Sequence, residues 1–369
     1  MYAANAEKPI YGAIISTVSL GVFNSMLVKK DGSLWSTGLL DELNPDLWDE
    51  LNHWVSFRPL LLSGVQAMDA GGDHSIVLKQ DGSVYTRGAN LRGQIGDGTN
   101  SFRRNYVKVF PGDIVAVSAG GFHSVLLKQD TSVWATGYNA FGQLGDGTEI
   151  QRTRFTRVFT SGAKAVSAGG YSTIVLKQDG SVWTTGANTN GELGDGSRIH
   201  KSNFAKVYSS GAAAVVAGWS HNLLLTGDGS LWATGNNTFG QFGDGSTTHR
   251  QEFVEVLPNG VRDAAAGFGH TIILKQDGSV WLSGLNMFGQ LGDGSFENQE
   301  NYIKVISSGI ARVSAGDDHS MVLKQNGNVF STGRNNFGQL GDGSMDDKSR
   351  FTAVSLSIDG LWCTIFFVR

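Results

Sequence analysis

Phe141-Gly142-Gln143-Leu144-Gly145-Asp146-Gly147-Thr148 contains the phrase Gly-x-(Leu/Ile/Phe)-Gly-Asp-Gly-(Thr/Ser). Six copies stand at an unvarying step of 49 residues, with their aspartates at Asp97, Asp146, Asp195, Asp244, Asp293 and Asp342. A second phrase, (Asp/Asn)-(Gly/Thr)-(Ser/Asn)-(Val/Leu)-(Trp/Tyr/Phe), occurs seven times, from Asp31, Asp81, Asp130, Asp179, Asp228, Asp277 and Asn326. A fixed period near fifty residues marks one supersecondary unit copied and stacked on its neighbours. Most repeated residues then serve the fold, and function is to be sought where the copies differ.

The unit spanning residues 162–210 reads in order. Lys164-Ala165-Val166-Ser167-Ala168-Gly169-Gly170 alternates and ends in small residues, as a short inner strand would. Thr173-Ile174-Val175-Leu176-Lys177 is an apolar second strand. Gln178-Asp179-Gly180-Ser181 is a hairpin signal, because Asp-Gly supplies the positive φ of a tight turn. Val182-Trp183-Thr184-Thr185-Gly186 is a third strand. A glycine-rich loop through Asn188, Gly191, Gly194, Asp195 and Gly196 leads to an outer strand, Phe204-Ala205-Lys206-Val207-Tyr208. Four sequential antiparallel strands make a propeller blade.

Counting predicts an all-β, seven-bladed β-propeller occupying residues 1–369 as one domain. Its repeats fall near 14–63, 64–112, 113–161, 162–210, 211–259, 260–308 and 309–355, with an atypical tail at 356–369. Outer strands are expected to start at Phe57, Tyr106, Phe155, Phe204, Phe253, Tyr302 and Phe351. Closure into a ring removes the exposed edges that an open stack would keep.

Composition fits such a chain: 51 glycines against 5 prolines, interleaved with strand-sized apolar runs. The net charge of -4 and pI near 6.1 oppose an overall field that attracts nucleic acid or an anionic membrane. No apolar run is long enough to span a bilayer as a helix. One cysteine, Cys363, excludes an internal disulfide and suits a reducing compartment. A cytoplasmic monomer is expected, with the nucleus as the alternative location.

Trp35, Tyr85, Trp134, Trp183, Trp232, Trp281 and Phe330 hold one register of the third strand and are expected between blades. Each Gly-Asp-Gly turn carries one carboxylate, whereas calcium takes six to eight oxygens, so the aspartates are expected to accept N–H bonds within their own turns. His74, His123, His221, His270 and His319 share a slot that Asn24 and Ser172 fill in the other copies. A following Ser or Thr (Asn222 after His221) favours hydrogen bonding to a neighbouring blade over a shared metal. Neither a catalytic constellation nor a cofactor or metal site is expected.

Ala-Gly-x-x-His-(Ser/Thr), as in Ala119-Gly120-Gly121-Phe122-His123-Ser124, together with the Gly-Asp-Gly phrase, resembles the repeat of the regulator of chromosome condensation family. The resemblance extends from about Ile14 to Ser355 and implies a seven-bladed propeller. Functions in that family range widely: nucleotide exchange on a small GTPase with docking on chromatin, ubiquitin-ligase modules, tubulin-suppressor-like adaptors, a photoreceptor and an enzyme inhibitor. The fold therefore does not name the function. The exchange factor's inserted wedge hairpin has no room in the constant spacing from the second repeat onward. The photoreceptor's clustered tryptophans reduce here to Trp219. A propeller with a variable face is what a non-catalytic scaffold for a protein partner needs, and the resemblance supports guanine-nucleotide exchange on a small GTPase as the alternative.

The variable positions after Ala-Gly read Asp73, Phe122, Tyr171, Trp219, Phe268, Asp317 and Asp318 from the second repeat to the seventh. Rigid aromatics flanked by acids have the composition of a protein-binding hot spot, although they could also pack loop on loop around the channel mouth. A second variable tract turns from basic (Arg103, Arg104, Arg152, Arg154, His200, Lys201, His249, Arg250) to acidic (Glu297, Glu300, Asp346, Asp347), a gradient that could steer a partner or simply be solvated. Leu43, Leu47, Leu51 and Trp54 predict a short amphipathic helix that caps the ring seam or docks a partner. The apolar end Leu361 to Val368 could pair with the first or last blade.

Overall fold

The computed structural model describes residues 15–39, 53–60 and 62–356. Seven four-stranded antiparallel sheets, each in sequential strand order, occupy residues 15–59, 65–110, 114–159, 163–208, 212–257, 261–306 and 310–353. These are blades one to seven of a propeller. Among the described residues, each blade is made from one contiguous segment.

The strand sequences follow from their surroundings. Second strands such as Ser172–Lys177 are buried on both faces between flanking blades, which is why they read as unbroken apolar runs. First strands are short and rich in Ala and Ser, as in Ala163–Ala168, because seven of them must meet at the axis. Apolar clusters fill the space between neighbours. Val125, Leu127 and Val133 of blade three, for example, pack on Ala163 and Val175 of blade four. At the seam, Leu27, Trp35 and Phe57 meet Met321, Leu323 and Val329.

The outer strands start earlier than their apolar residues suggest. In blades two to six they run Arg103–Phe110, Arg152–Phe159, Lys201–Tyr208, Arg250–Leu257 and Gln299–Ile306. The added residues are polar and join the ladder through bulged pairs such as Gly137 with Arg152. Trp54, expected on a helix, instead belongs to the strand His53–Pro59. The rest of that helix, Cys363 and the apolar tail lie outside the described residues.

Each Gly-Asp-Gly loop hooks onto the next blade. Gly147 N donates to Ser202 O at 2.8 Å, and across the seam Gly343 N donates to Val55 O at the same distance. In blades one and three to seven, an aromatic ring within the outer strand lies against a glycine of the preceding blade's loop: Phe253 sits where a Cβ on Gly194 would project, and Phe57 occupies the corresponding space at Gly341. Gly194 has φ +74°, so this position requires glycine both for its backbone conformation and for its packing.

Candidate partner-binding face

Loops joining first to second strands and third to fourth strands emerge at the same end of every blade, so both sets of variable residues share one face of the ring. Beneath that face lies an inter-blade relay. His123 Nε2 is 2.9 Å from Thr173 Oγ1 of the next blade, and Thr173 Oγ1 donates to Gln143 O at 2.7 Å. A hydroxyl that donates to a carbonyl accepts from the imidazole, which places the proton on Nε2 and leaves Nδ1 bare. The Nδ1 atoms of all five histidines lack partners accordingly. Burial pushes these imidazoles down, to about 4 for His74 and His221 and to about 3 for His123, His270 and His319. Gly120 admits the ring of His123, whose Cε1 would lie 2.6 Å from a Cβ added there. Among the described residues, no group of three or more His, Cys, Asp or Glu is placed to hold a metal ion.

The turn aspartates act within the scaffold. Asp146 Oδ1 accepts from Thr148 N at 3.0 Å and Thr148 Oγ1 at 2.7 Å, while Oδ2 pairs with Arg152 at 2.6 Å. The same arrangement joins Asp97 to Arg103, Asp195 to Lys201, Asp244 to Arg250 and Asp342 to Lys348. Asp293 instead accepts from Gln299. Much of the basic tract expected to steer a partner is therefore engaged in ion pairs with the repeat's own turns. His200 and His249 cap Asn188 N and Asn237 N through Nδ1, both at 2.9 Å.

The third-strand aromatics lie toward the opposite, Asp-Gly hairpin end. Trp134, Trp183, Trp232 and Trp281 each pack part-buried against an inter-blade cluster and donate Nε1 to the turn serine two residues before, as Trp183 does to Ser181 at 3.1 Å. Trp35 does the same at the seam. Phe330 packs between blades six and seven. Tyr85 lies under the Lys79 ammonium, 5.3 Å from its ring centre.

On the loop face, blades three to six form a continuous run of rings. Centroid distances are 5.5 Å for Phe122–Tyr171, 5.7 Å for Tyr171–Trp219 and 6.0 Å for Trp219–Phe268. Tyr138 and Phe141 extend this run, at 6.2 Å and 5.4 Å from Tyr171. Phe268 is 40% exposed. Phe122, Tyr138, Phe141, Tyr171 and Trp219 enclose a cavity of about 490 Å³, with Arg92 also on its lining. Glu192, 5% exposed, belongs to the same wall, and burial raises its carboxyl above the usual range.

The acidic positions sit together beside this run, with Phe268 N donating to Asp317 O at 3.2 Å. Burial pushes Asp317 up to about 7, helped by the charges of Asp318 and Asp73. Asp318 pairs with Arg334 at 3.3 Å. The guanidinium of Arg334 also stacks over Phe23, Phe288 and Phe337. The face thus has an aromatic half and an acidic half. Tyr138, Phe141, Arg92 and Glu192 were missed in the sequence because they lie on the glycine loops, whose repeated residues read as scaffold. The signal available was that Asn190 and Glu192 break the repeat.

Comparison with known proteins places this architecture. The Regulator of chromosome condensation (RCC1) repeat matches at residues 65–94, 114–143, 163–192, 212–241 and 310–339, and a second form of the same repeat at 81–127, 228–274 and 277–323. The chain belongs to the RCC1 repeat family. Among solved structures, the RCC1 propeller is similar to human WBSCR16, at 22% identity and TM-score 0.76, covering 86% of this chain and 88% of that one. It is also similar to Prp20p from Saccharomyces cerevisiae, a protein described with its binding to Gsp1p and histones, at 21% identity and TM-score 0.74, covering 93% and 87%. Identities this low attest the fold alone. The RCC1 domain-containing protein RUG3, mitochondrial, of Arabidopsis thaliana is 32% identical over 84 residues, which span 22% of this chain and 19% of that protein.

Proposed function

We propose that this RCC1 propeller is a non-catalytic scaffold that binds a protein partner through the loop face of blades three to six. The observation that carries this reading is the run of part-exposed rings from Phe122 through Tyr171 and Trp219 to Phe268, beside the acidic group Asp73, Asp317 and Asp318. Aromatic anchors bring large apolar area at low entropic cost, and a charged flank orients the approach. A monomer acting in the cytoplasm or nucleus, without cofactor, fits the composition.

A second reading is guanine-nucleotide exchange on a small GTPase. The family supports it, and so does the similarity to Prp20p, described with binding to Gsp1p. The constant 49-residue step, which leaves no room for an inserted wedge from blade two onward, weighs against it. Affinity capture from native lysate with wild type and a Trp219→Ala/Phe268→Ala/Asp317→Ala variant tests the face. A partner held by wild type and lost from the variant supports the scaffold reading. A small GTPase lost in this way, with accelerated nucleotide release by wild type, replaces it with the exchange reading. Equal capture by both proteins overturns the face.

A further inference from the structure

Blade four breaks the repeat twice within three residues, and both breaks open onto the same cavity. At the position of Gln94, Gln143, Gln241, Gln290 and Gln339 it carries Glu192. Each glutamine turns its Oε1 onto the backbone N–H two residues earlier, as Gln143 does to Phe141 N at 3.1 Å and Gln290 to Phe288 N at 3.0 Å. Glu192 keeps that bond through Oε2, 2.7 Å from Asn190 N. The scaffold role therefore needs only a carbonyl-type oxygen, which glutamine already supplies, and does not explain a buried charge. The second break is Asn190, where blades three, five, six and seven place Phe141, Phe239, Phe288 and Phe337. The smaller side chain leaves open the space lined by Phe122, Tyr171 and Trp219.

A carboxylate this buried is costly unless a cation compensates it. Among the described residues, Glu192 makes no ion pair, and its hydrogen bonds come from the backbone N–H groups of Asn190 and of Glu192 itself. His200 and Arg198 are the cations that act on it, and neither makes an ion pair with it. Arg92, on the same lining, stacks its guanidinium over Tyr138 at 5.0 Å instead, which shows that these ring faces accept a planar cation. The volume of about 490 Å³ suits a side-chain-sized ligand.

We propose that the cavity between Trp219, Tyr171, Phe122 and Glu192 is a cation pocket that takes the guanidinium or ammonium head of a basic side chain presented by the partner protein. The inference rests on the scaffold reading for the source of the cation, and its chemistry can be measured without the partner. Aromatic faces attract the cation by their quadrupoles, and the water-poor carboxylate completes its charge. An apolar anchor would leave that carboxylate unmatched.

The test uses the full chain and four probes: N-acetyl-arginine amide, N-acetyl-lysine amide, the neutral isostere N-acetyl-citrulline amide, and choline as a free quaternary amine. Binding is followed by calorimetry and tryptophan fluorescence. Glu192→Gln and Asn190→Phe restore residues that this chain uses at the same position of other blades, so both variants are expected to fold, and melting curves check it. The expectation is saturable binding of the arginine or lysine probe and citrulline at least about tenfold weaker. Glu192→Gln should bring the cationic probe down to the citrulline level, and Asn190→Phe should abolish binding. No saturable binding of either basic probe, equal binding of citrulline, or full binding by Glu192→Gln overturns the pocket. Choline binding more tightly than both basic probes overturns a partner side chain as the source. Loss of partner capture in the Trp219/Phe268/Asp317 variant bears on the face, whereas these probes bear on the pocket, so the two failures are distinct.

Discussion

His319 Nε2 in the last blade lies 2.8 Å from Ser25 Oγ in the first, and Ser25 Oγ donates to Gln339 O at 2.7 Å. The same relay joins interior neighbours, as between His74 and Ser124 at 2.8 Å. Among the described residues, the ring is therefore closed by the same kind of contact that stacks its blades. Phe57 N donating to Ser355 O at 3.1 Å adds a backbone bond at the seam.

If the seam is an ordinary inter-blade junction, Ser25→Ala should cost as much as Ser124→Ala, about 1–3 kcal/mol. Each change strands a buried imidazole N–H and a carbonyl. Urea denaturation of the two variants checks this. A negligible loss for Ser25→Ala beside a clear loss for Ser124→Ala would mean that the seam is held by other elements.

Acid should open the propeller through its histidines. Their folded values of about 3 to 4 lie below the ordinary value of 6.5, because burial disfavours the imidazolium. Stability held by the neutral rings is full above pH 6.5 and is lost as pH falls from there toward 4, at about 1.4 kcal/mol per pH unit for each histidine. The turn aspartates, whose carboxyls are held low, act only below their ordinary range and so do not share this window. A His123→Asn/His270→Asn variant, which imitates Asn24 of blade one, should show a shallower fall of melting temperature between pH 7 and pH 5. An unchanged slope would show that the rings do not carry the linkage.

Asp317 has the opposite sign. Its folded value is raised to about 7 by burial and by Asp318 and Asp73, so the unfolded chain loses its proton first. Its contribution falls as pH rises from about 4 to 7 and stays low above that. Asp317→Asn should match wild type near pH 4 and exceed it at pH 8 by about 1–2 kcal/mol, a figure reduced for the partial access of this side chain at the channel mouth. Melting temperatures of both proteins at the two pH values decide it, and a uniform offset would attribute the effect to packing.

Asp146 holds its own turn through Thr148 N and Thr148 Oγ1, reaches the outer strand through Arg152, and is nearly buried, whereas Arg152 is one-third exposed. Asp146→Ala should cost about 2–3 kcal/mol, since it frees buried donors, and Arg152→Ala less than about 1 kcal/mol. Comparable losses in chemical denaturation would make the ion pair, rather than the turn, the dominant contribution.

How legible the fold was depended on what each position must satisfy. Asp146 and Gly145 recur because each loop makes the same turn and meets the same ring of the next blade, so period alone specified seven blades. The residues Arg152-Thr153-Arg154 gave no strand signal, since their place in the ladder rests on backbone pairing while their side chains stay polar and largely accessible. Phe122, Tyr171, Trp219 and Phe268 stood out as variable aromatics. Glu192 did not, because a glutamate among glutamines looks conservative until its burial and its place in the cavity wall are known. The gathering of Asp73 with Asp317 depends on ring closure across blade one, which no local pattern contains.

Trp183 and Trp219 separate stability from binding. Trp183 packs against the buried cluster between blades three and four that holds Val125, Leu127 and Val175, so Trp183→Ala should cost about 3 kcal/mol or more through lost burial and a residual cavity. Trp219 rests on Gly170 and on its ring neighbours at the rim of an open cavity, where solvent can fill the space left behind. Trp219→Ala should therefore cost only about 1 kcal/mol, within the range of an aromatic pair, while weakening partner capture. Thermal and urea melts of both variants, run beside the capture assay, give the comparison. Equal destabilisation would make Trp219 part of the ring's core, and the aromatic half of the face would then owe its composition to loop packing rather than to a partner.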